Sequence, residues 1–336
     1  MDVSLLEKYD SQDMHKIYDK WPQIARESWE SDIPEINFEN IDHVIFVGMG
    51  GSGAIGDMFA SILSKSKIHV TVVKGFHLPS TINSNSLVIP ISVSGNTQET
   101  LTVLKSAYSL NCNIVAFISG GEIQKFCLEN KIEYRIISQY HSPRASFPSY
   151  FYSILRVLSN SLKIKSDDIL ESIKELENLG KKITSSNFTK TNPSLNLAQQ
   201  LSGIPMIYHP FGLQSAAIRF KNSLNENTKI HAICEDIVEA THNGIVAWEK
   251  NSNVFPIIVK GIDDYDKTKK LWKFVEEYFK EHKINYVTIQ SLNGSIITKL
   301  ICLIYLLDYA SIYAAIHSKT DPTPVKPIEY FKNIQI

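Results

Sequence analysis

The sequence predicts an α/β fold with two doubly wound parallel sheets and flanking helices. Short apolar runs rich in β-branched residues alternate with amphipathic stretches along the chain, a pattern typical of parallel strands joined by helices. Residues 44–47 and 114–118 are almost entirely hydrophobic, which indicates strands that are covered on both faces. The 336 residues exceed one ordinary core and favour two domains of about 150 residues each.

The first half of the chain alternates regularly between predicted strands and helices. Hydrophobic runs bounded by polar turns predict strands at residues 43–47, 69–74, 87–93, 113–119 and 133–137. Apolar residues at helical spacing predict helices at residues 13–30, 53–63, 97–109, 123–130 and 147–162. We therefore expect a first domain that covers residues 1–160.

The pattern resumes after a polar segment, residues 163–193, which we interpret as a partly helical connection. Strands are predicted near residues 205–208, 230–234, 255–259 and 286–289, and helices near 213–223, 266–282 and 295–318. Lys299 and Asp308 interrupt the most apolar stretch, residues 297–315, so we interpret it as a core helix well short of a membrane span. The second predicted domain covers residues 161–336.

Charge and cysteine content exclude several classes of protein. The chain has 34 Lys and Arg against 35 Asp and Glu, without a long block of one sign, which disfavours nucleic acids and anionic membranes as partners. The cysteines lack the spacing of a metal site or redox pair, so we expect reduced thiols in a cytoplasmic protein. The N-terminus has no basic segment followed by an apolar run, so we expect no signal peptide. Any bound anion should be small and held in a local site.

A glycine-rich turn follows the first predicted strand and opens a helix. It reads Gly48-Met49-Gly50-Gly51-Ser52-Gly53, which fits the dinucleotide fingerprint G-x-G-x-x-G. Glycines at such a turn let the backbone approach a phosphate at the helix N-terminus. The second strand, however, ends at Lys74 rather than at the acidic residue that binds an NAD ribose. Lys74 leaves an NADP site open as an alternative.

A second polar turn follows the third predicted strand and also runs into a helix. It reads Ser92-Val93-Ser94-Gly95-Asn96-Thr97-Gln98-Glu99-Thr100, in which Asn96 and Glu99 resemble a capping box. The hydroxyls either cap this helix or bind a phosphate through neutral donors near its N-terminus. Because both turns follow strands of one parallel sheet, we expect them to converge where such sheets bind ligands.

The paired turns resemble those of a known family. Gly-Gly-Ser-Gly after one strand, with Ser-x-Ser-Gly-Asn-Thr-x-Glu-Thr after a later one, is similar to the sugar isomerase (SIS) domain. The whole chain resembles the two-domain bifunctional phosphoglucose/phosphomannose isomerases of archaea and some bacteria. Further segments carry the resemblance in the expected order: Ser142-Pro143-Arg144-Ala145, residues 219–227, Thr241-His242-Asn243-Gly244 and residues 320–325.

The resemblance implies a homodimer with shared active sites and no cofactor or metal. It would interconvert glucose 6-phosphate with fructose 6-phosphate, and mannose 6-phosphate with fructose 6-phosphate, through a cis-enediol. Such a reaction needs a base, a group that opens the sugar ring and a positive charge beside the enediolate. By resemblance, Glu226 is the base, Arg144 stabilises the enediolate, and His242 of the neighbouring subunit opens the ring. Lys332, or alternatively Lys326, assists ring opening. The phosphate contacts would be Gly50, Gly51, Ser52, Ser92, Ser94 and Thr97.

The residues alone leave simpler interpretations open. Without the resemblance, Glu226 is a solvated helix-end residue, His242 a surface residue and Arg144 a structural salt-bridge partner. Two other functions also stay open: a sugar-phosphate-sensing SIS module without turnover, and an NADP-dependent oxidoreductase. Thr320 and Thr323 are both candidates for the threonine to which the family's dual specificity is attributed.

Overall fold

The structure is a computed structural model that describes residues 2–331 and the backbone of Lys332. These residues form two compact units, each built on a parallel sheet. The first unit comprises residues 20–177 and 293–301, and the second comprises the residues up to 19, 178–292 and those from 302 onward. The predicted fold class, parallel sheets with helical connections, is confirmed.

The chain up to residue 158 forms three helices and then the first sheet with its connections. In chain order the elements are α1 (Val3–Tyr9), α2 (Met14–Asp19), α3 (Trp21–Trp29), β1 (His43–Val47), α4 (Gly50–Leu63), β2 (His69–Val73), β3 (Ser86–Ser92), α5 (Gln98–Tyr108), β4 (Asn113–Ile118), α6 (Gly121–Glu129), β5 (Glu133–Ile136) and α7 (Phe147–Leu158).

The remaining elements include the second sheet. They are α8 (Ser166–Ile183), α9 (Pro193–Gln200), β6 (Ile204–His209), α10 (Gln214–Ser223), a π-helical turn (Leu224–Thr228), β7 (Ile233–Asp236), α11 (Ile237–Ala240), a 3₁₀ helix (Gly244–Glu249), β8 (Val254–Lys260), α12 (Asp266–Glu281), β9 (Val287–Gln290), α13 (Ile296–His317) and α14 (Lys326–Lys332). Every predicted strand is present, and only β7 is displaced from its predicted position by more than a single residue. Several short helices were not predicted: α1, α9, α11, α14, the π-helical turn and the 3₁₀ helix.

The first sheet has the strand order β2-β1-β3-β4-β5 among the described residues. Strand β1 lies between β2 and β3, with Val47 opposite Val73 on one side and Pro90 on the other. All of β1 is buried, and Phe46 stacks on Phe59 of α4 with ring centroids 4.8 Å apart. The connections run outward in opposite directions from β1 and β3. The crevice beyond the carboxyl ends of these two strands is the usual ligand site of such sheets.

The second sheet has the strand order β7-β6-β8-β9 in the described part of the chain. Its core contains Tyr208 of β6 together with Trp272 and Phe279 of α12. Trp248 of the 3₁₀ helix donates its indole N–H to the Tyr208 hydroxyl at 2.8 Å, and its ring meets Phe279 edge-on. Helix α10 connects the inner strand β6 to the edge strand β7.

The single helix predicted at residues 13–30 is wrong, because the structure has two helices there. Helix α2 ends at Asp19, and α3 begins at Trp21 with Pro22 in its first turn. Proline has no backbone N–H to donate, so it is tolerated in a first turn but breaks a helix interior. Pro22 therefore marks the start of a new helix.

The residues before 20 pack with the C-terminal part of the chain in the second unit. The Tyr309 hydroxyl donates to the Asp19 carboxylate at 2.6 Å, and the Tyr305 hydroxyl donates to the Tyr18 carbonyl at 2.8 Å. The sequence predicted one division after residue 160, whereas these contacts make the compact units discontinuous. The two hydrogen-bonded pairs are 290 and 287 residues apart along the chain, so the local sequence could not have predicted these contacts.

Helix α13 is long and apolar enough to cross a membrane by length and composition alone. The expectation that it would fall well short of a membrane span was therefore wrong. It is the only such helix among the described residues, and 89% of its most apolar window is buried inside the fold. The helix packs as a core helix of this chain.

Helix α13 begins beside a carboxylate of α8. Glu171 accepts hydrogen bonds from the backbone N–H of Ser295 and from the hydroxyl of Thr298, each at 2.8 Å. Both hydrogen bonds lower the pKa of Glu171, and the bond from the Ser295 backbone has the larger effect. A lowered pKa in the folded state means that the ionised carboxylate stabilises the fold.

We expect Glu171→Gln to reduce the free energy of unfolding by about 1 kcal/mol at neutral pH, because it removes a charged acceptor from a helix N-terminus. The stabilisation is present above the unfolded-state pKa and disappears as pH falls through the lower folded-state pKa. Urea unfolding at neutral pH and at about pH 3 should therefore show a smaller difference at the lower pH. Exposed Glu129→Gln is the matched control. A Glu171 variant as stable as wild type at neutral pH would contradict this capping role.

Candidate functional site

The turn after β1 brings a helix N-terminus to the carboxyl end of the first sheet. Helix α4 begins at Gly50, whose φ of +51° lies in the left-handed region that glycine adopts without strain. A Cβ atom on Gly51 would lie 3.3 Å from the carbonyl oxygen of Pro143 and 3.5 Å from the Cα of Arg144. The glycines therefore turn the chain into α4 and let the Arg144 segment approach this turn.

The turn after β3 is held against the start of α6. Gly95 has a φ of +68°, and a Cβ atom there would lie 1.8 Å from the carbonyl oxygen of Gly120, so only glycine fits. The Ile123 backbone N–H donates to the Gly95 carbonyl at 2.9 Å. The Ser92 hydroxyl accepts from the Gly95 N–H and lies 3.0 Å from the Thr97 hydroxyl. Ser92 is 1% exposed, so its hydroxyl shapes the turn from within.

The capping box predicted from Asn96 and Glu99 is wrong. Thr97 is the N-cap residue of α5, and its side chain makes no capping hydrogen bond. Asn96 instead accepts a hydrogen bond from the Glu122 backbone N–H at 2.9 Å, in the first turn of α6. The hydroxyls of exposed Ser94 and half-buried Thr97 therefore lie at the start of α5, where a helix has N–H groups without partners inside the helix.

The structure brings the two turns together in the first unit. Strands β1 and β3 are direct neighbours. A Cβ atom on Gly48 would lie 2.9 Å from the Cβ of Ser52 and 3.1 Å from the carbonyl oxygen of Ile91, so the first turn adjoins the end of β3. The predicted phosphate residues Gly50, Gly51, Ser52, Ser92, Ser94 and Thr97 all lie on these two turns. Two helix N-termini facing one edge favour the binding of an anion.

Arg144 reaches the same edge on the segment between β5 and α7. Trp21 donates its indole N–H to the Ala145 carbonyl at 3.0 Å, and the Ser146 hydroxyl donates to the Ser142 carbonyl at 2.9 Å. These bonds hold the segment beside the first turn, and Arg144 is 6% exposed. Its backbone lies beside the first turn, and its side chain carries a positive charge that is largely buried.

Lys74, on which the NADP alternative depends, lies directly after β2. Its amine forms an ion pair with Asp57 of α4, with 2.5 Å between Nζ and Oδ2. The side chain also packs close to Gly53, where a Cβ atom would lie 3.1 Å from the Lys74 Cε. The charge of Lys74 is thus matched inside the first unit, which favours a structural role over recognition of a 2′-phosphate.

Glu226 lies in the π-helical turn, Leu224–Thr228, that ends α10 in the second unit. The two asparagines beside it hold the turn. Asn225 donates to the backbone of the following loop at 2.8 Å, and Asn227 donates to the Ser311 hydroxyl at 2.8 Å. Glu226 itself is half-buried. Short π-helical turns occur frequently at functional sites, and this one presents a carboxylate between two anchored residues.

Lys229 is a residue that the sequence analysis missed. It follows the turn with a left-handed φ of +63°, and its amine donates to the carbonyl oxygens of both Glu226 and Pro322. It therefore joins the Glu226 turn to residues 320–325, the segment that carries both candidate specificity threonines. The only available signal was its position beside Asn-Glu-Asn, because Pro322 lies 93 residues further along the chain.

His242 lies on an exposed turn after α11. Its backbone N–H donates to the Glu239 carbonyl at 2.9 Å, and the Asn243 side chain donates to the Glu239 carboxylate at 2.6 Å. Two apolar side chains flank this turn, Val238 and Val246, which are 45% and 59% exposed. His242 is thus presented outward on a surface that is partly apolar.

Strand β7 lies between Glu226 and His242 along the chain. Glu226 precedes the amino end of β7, and His242 follows its carboxyl end. A strand of this length separates its two ends by about 10 Å. Along the chain, the turn that carries Glu226 and the turn that carries His242 thus lie on opposite sides of β7.

The two lysine candidates lie on the terminal helix α14. Lys326 is its first residue and is exposed. Lys332 ends the helix, and its side chain lies outside the described residues, so its predicted role stays a prediction. Across residues 2–331, no group of three His, Cys, Asp or Glu side chains is placed to hold a metal ion.

Two family models match separate parts of the chain. The SIS domain matches residues 37–155, and the bacterial phospho-glucose isomerase C-terminal SIS domain matches residues 190–334. Both matches fall in the halves where the sequence predicted SIS domains. The turns after β1 and β3 lie in the first match, and Glu226 and His242 lie in the second.

The chain is similar to several sugar-phosphate enzymes. A bifunctional phosphoglucose/phosphomannose isomerase of Caldicellulosiruptor bescii is 30% identical over 307 residues, covering 89% of this chain and 91% of that protein. A D-glucosamine-6-phosphate 4-epimerase of Sulfolobus acidocaldarius is 25% identical, covering 73% of this chain and 77% of that protein. The crystal structure of tagatose-6-phosphate ketose/aldose isomerase from Escherichia coli superposes with a TM-score of 0.67 at 13% identity, covering 94% and 96% of the two chains.

We expect Gly95→Ala to lower the free energy of unfolding by about 2 kcal/mol or more, because the added Cβ overlaps the Gly120 carbonyl in a left-handed conformation. Gly75→Ala is the matched control, since Gly75 has open space around its Cβ position. Urea unfolding of both variants measures the difference. Equal stability of the two variants would contradict the close contact between the β3 turn and α6.

Proposed function

The chain belongs to the family of bifunctional phosphoglucose/phosphomannose isomerases, and we propose that it interconverts glucose 6-phosphate with fructose 6-phosphate and mannose 6-phosphate with fructose 6-phosphate. The reaction is an aldose–ketose isomerisation, in which one carbon of the sugar is oxidised and its neighbour reduced. No external hydride acceptor is needed, because a proton moves between C1 and C2 through a cis-enediol.

The observation that most directly supports this proposal is the convergence of the two turns with Arg144. Two helix N-termini, uncapped by their N-cap side chains, meet at the carboxyl ends of adjacent strands. Hydroxyl groups and helix dipoles suit a phosphate monoester, which is the part shared by all three sugars. A buried arginine beside them suits the negative charge that develops on the substrate during proton transfer.

The proposed chemistry assigns one task to each remaining residue. Glu226 takes the proton from C2 of open-chain glucose 6-phosphate while O1 gains a proton, and returns it to C1 of the enediol while O2 loses its proton, which gives fructose 6-phosphate. Arg144 stabilises the enediolate oxygens while the proton is on the carboxylate. His242 exchanges a proton with the ring oxygen when the closed sugar opens, a task suited to imidazole near neutral pH. Lys332, or alternatively Lys326, assists that opening.

We extend the proposal to a cytoplasmic homodimer with shared active sites. The resemblance assigns His242 to the neighbouring subunit's site, and the order Glu226, β7, His242 along one chain is compatible with that assignment. The exposed valines beside His242 suit a contact between subunits, which buries apolar side chains at its centre.

The two alternative functions predict different behaviour. A sensing module would bind sugar phosphates without turnover and has no need of Arg144, Glu226 and His242 together. An NADP-dependent oxidoreductase needs a nucleotide, but Lys74 is paired with Asp57 and the hydroxyl-rich β3 turn has no role in it. The isomerase accounts for all of these features.

A coupled assay distinguishes the three functions. We expect purified protein to convert fructose 6-phosphate to glucose 6-phosphate, and to mannose 6-phosphate, with excess EDTA present during conversion and without nucleotide. The products are identified after the protein is removed, so that the detection system does not supply a cofactor. Turnover that requires NADP, binding without turnover, or activity that returns only with added zinc would each contradict the proposal.

Glu226→Gln should bind fructose 6-phosphate with nearly unchanged affinity but lose about 10² to 10⁴ in kcat, the usual contribution of a general base. Glutamine keeps the shape of the side chain but cannot accept the C2 proton. Steady-state kinetics and isothermal titration measure the two quantities. Glu281→Gln, the same change at an exposed residue of α12 outside the turn, is the control. A Glu226→Gln enzyme with wild-type kcat would show that another residue is the base.

Mixed dimers test whether sites are shared between subunits. Glu226→Gln and His242→Ala homodimers should each be nearly inactive towards closed-ring sugar. After subunit exchange, about half of the dimers are hybrids, and each hybrid has one intact site if the two residues come from different chains. Activity should then return to about a quarter of wild type. Mixing that restores nothing, with exchange verified by mass spectrometry, would place both residues in one chain's site.

A further inference from the structure

A row of polar side chains joins α10 and the π-helical turn to the core helix α13. Arg219, Ser223 and Asn227 are spaced four residues apart, so they lie along one face of this helical segment. All three are buried. The facing side chains on α13 are Asp308 and Ser311, which are fully buried in a mostly apolar helix.

Asp308 receives hydrogen bonds from three side chains, which lie on two helices of the second unit. Arg219 donates from Nε at 3.0 Å and from Nη2 at 2.6 Å, both to Oδ2. Ser223 donates to Oδ1 at 2.7 Å, and the Tyr18 hydroxyl of α2 donates to Oδ2 at 3.3 Å. A carboxylate is stable in such a core only when its charge and lone pairs are matched in this way. The orientation of α10 against α13 is therefore specified by Asp308.

Ser311 extends this network to the π-helical turn. Its hydroxyl donates to the Asp308 carbonyl at 2.6 Å and accepts from the Asn227 side chain at 2.8 Å. Asn227 is the residue directly after Glu226. The network thus reaches from Asp308 to the backbone that carries the proposed base.

The turn divides into residues that face inward and residues that face outward. Leu224, Asn227 and Thr228 are buried, whereas Asn225 is exposed and Glu226 is half-buried. A π-helical turn is a rare conformation that occurs mostly as a single turn, so contacts from outside the turn help to hold its shape. The Asn227–Ser311 bond is such a contact, made by the residue directly after Glu226.

From this geometry we propose that Asp308 and Ser311 are positioning residues for Glu226: through Arg219, Ser223 and Asn227 they fix the π-helical turn so that the Glu226 carboxylate is held where the proton transfer occurs. The inference rests on the proposed role of Glu226 as the base. Small displacements of a catalytic group reduce turnover steeply, whereas substrate binding through the phosphate turns does not depend on this network.

Ser311→Ala is the test variant, because it removes the bond to Asn227 and keeps the buried ion pair intact. Ser194→Ala is its matched control. Ser194 is also fully buried in the second unit, and its hydroxyl donates to the Leu306 carbonyl of α13 at 2.8 Å without contact to the turn. We expect Ser311→Ala to lower kcat by about 10- to 100-fold with KM near wild type. Ser194→Ala should keep kcat, although both variants lose similar stability.

A double-substitution cycle adds an independent measurement. Asn227→Ala removes the other partner of the same bond, so Ser311→Ala and Asn227→Ala together should lower kcat no more than either change alone. Losses that multiply, or a Ser311→Ala enzyme that matches Ser194→Ala in kcat, would overturn the proposal.

Glu226→Gln, assayed in parallel, separates this inference from the proposed function. If Glu226→Gln is inactive and Ser311→Ala is not impaired, the positioning role fails while the base assignment stands. If Glu226→Gln has wild-type kcat, the base assignment fails, and the positioning role fails with it.

Discussion

The parallel arrangement of both sheets is the constraint on which the candidate site depends. In a parallel sheet all strands run in the same direction. Every turn that follows a strand therefore lies at the same side of the sheet, beyond the carboxyl ends of the strands. In the first unit the order β2-β1-β3-β4-β5 makes β1 and β3 neighbours, and their turns adjoin. In the second unit the same rule applies along the chain: Glu226 lies at the end of the helical connection that leads to β7, whereas His242 comes after β7 and the short helix α11. Two residues only 16 positions apart are thereby assigned to different ends of β7.

Buried polar groups account for how the second unit presents its carboxylate. The Asp308–Arg219 pair is fully enclosed, and such pairs contribute less to stability than apolar packing of the same volume would. Their geometric demands are strict, however, because each donor and acceptor must be matched. Here the matched partners lie on α2, α10 and α13, and the network ends at Asn227. Lys229 then ties the outer side of the same turn to residues 320–325. The Asn-Glu-Asn motif is thus a carboxylate between two structural anchors.

Local patterns predicted the fold class, the strands of the first sheet and the two phosphate-type turns, because strand hydrophobicity and glycine spacing are properties of neighbouring residues. Pro22, which starts a new helix within residues 13–30, was a local signal that was overlooked, whereas two other residues have distant partners. Asn96 was interpreted as a cap of α5, yet its side chain accepts a hydrogen bond from the Glu122 backbone of the next helix, α6. Asp308 was noted only as an interruption of an apolar helix, since Arg219 is 89 residues away. The roles of Glu226, Arg144 and His242 came from resemblance, and nothing in the spacing alone distinguishes them from surface or structural residues.

The central claim is that the aldose and ketose are interconverted by proton transfer at C2, and isotope exchange tests it most directly. Fructose 6-phosphate is incubated with the wild-type protein in deuterium oxide for many turnovers, and the glucose 6-phosphate formed is analysed by NMR. Transfer through an enediol on the Glu226 carboxylate predicts deuterium at C2 of the product, because the carboxylate exchanges its proton with solvent during repeated turnover. Sustained conversion that leaves C2 entirely protonated would indicate direct hydride transfer and would contradict the account.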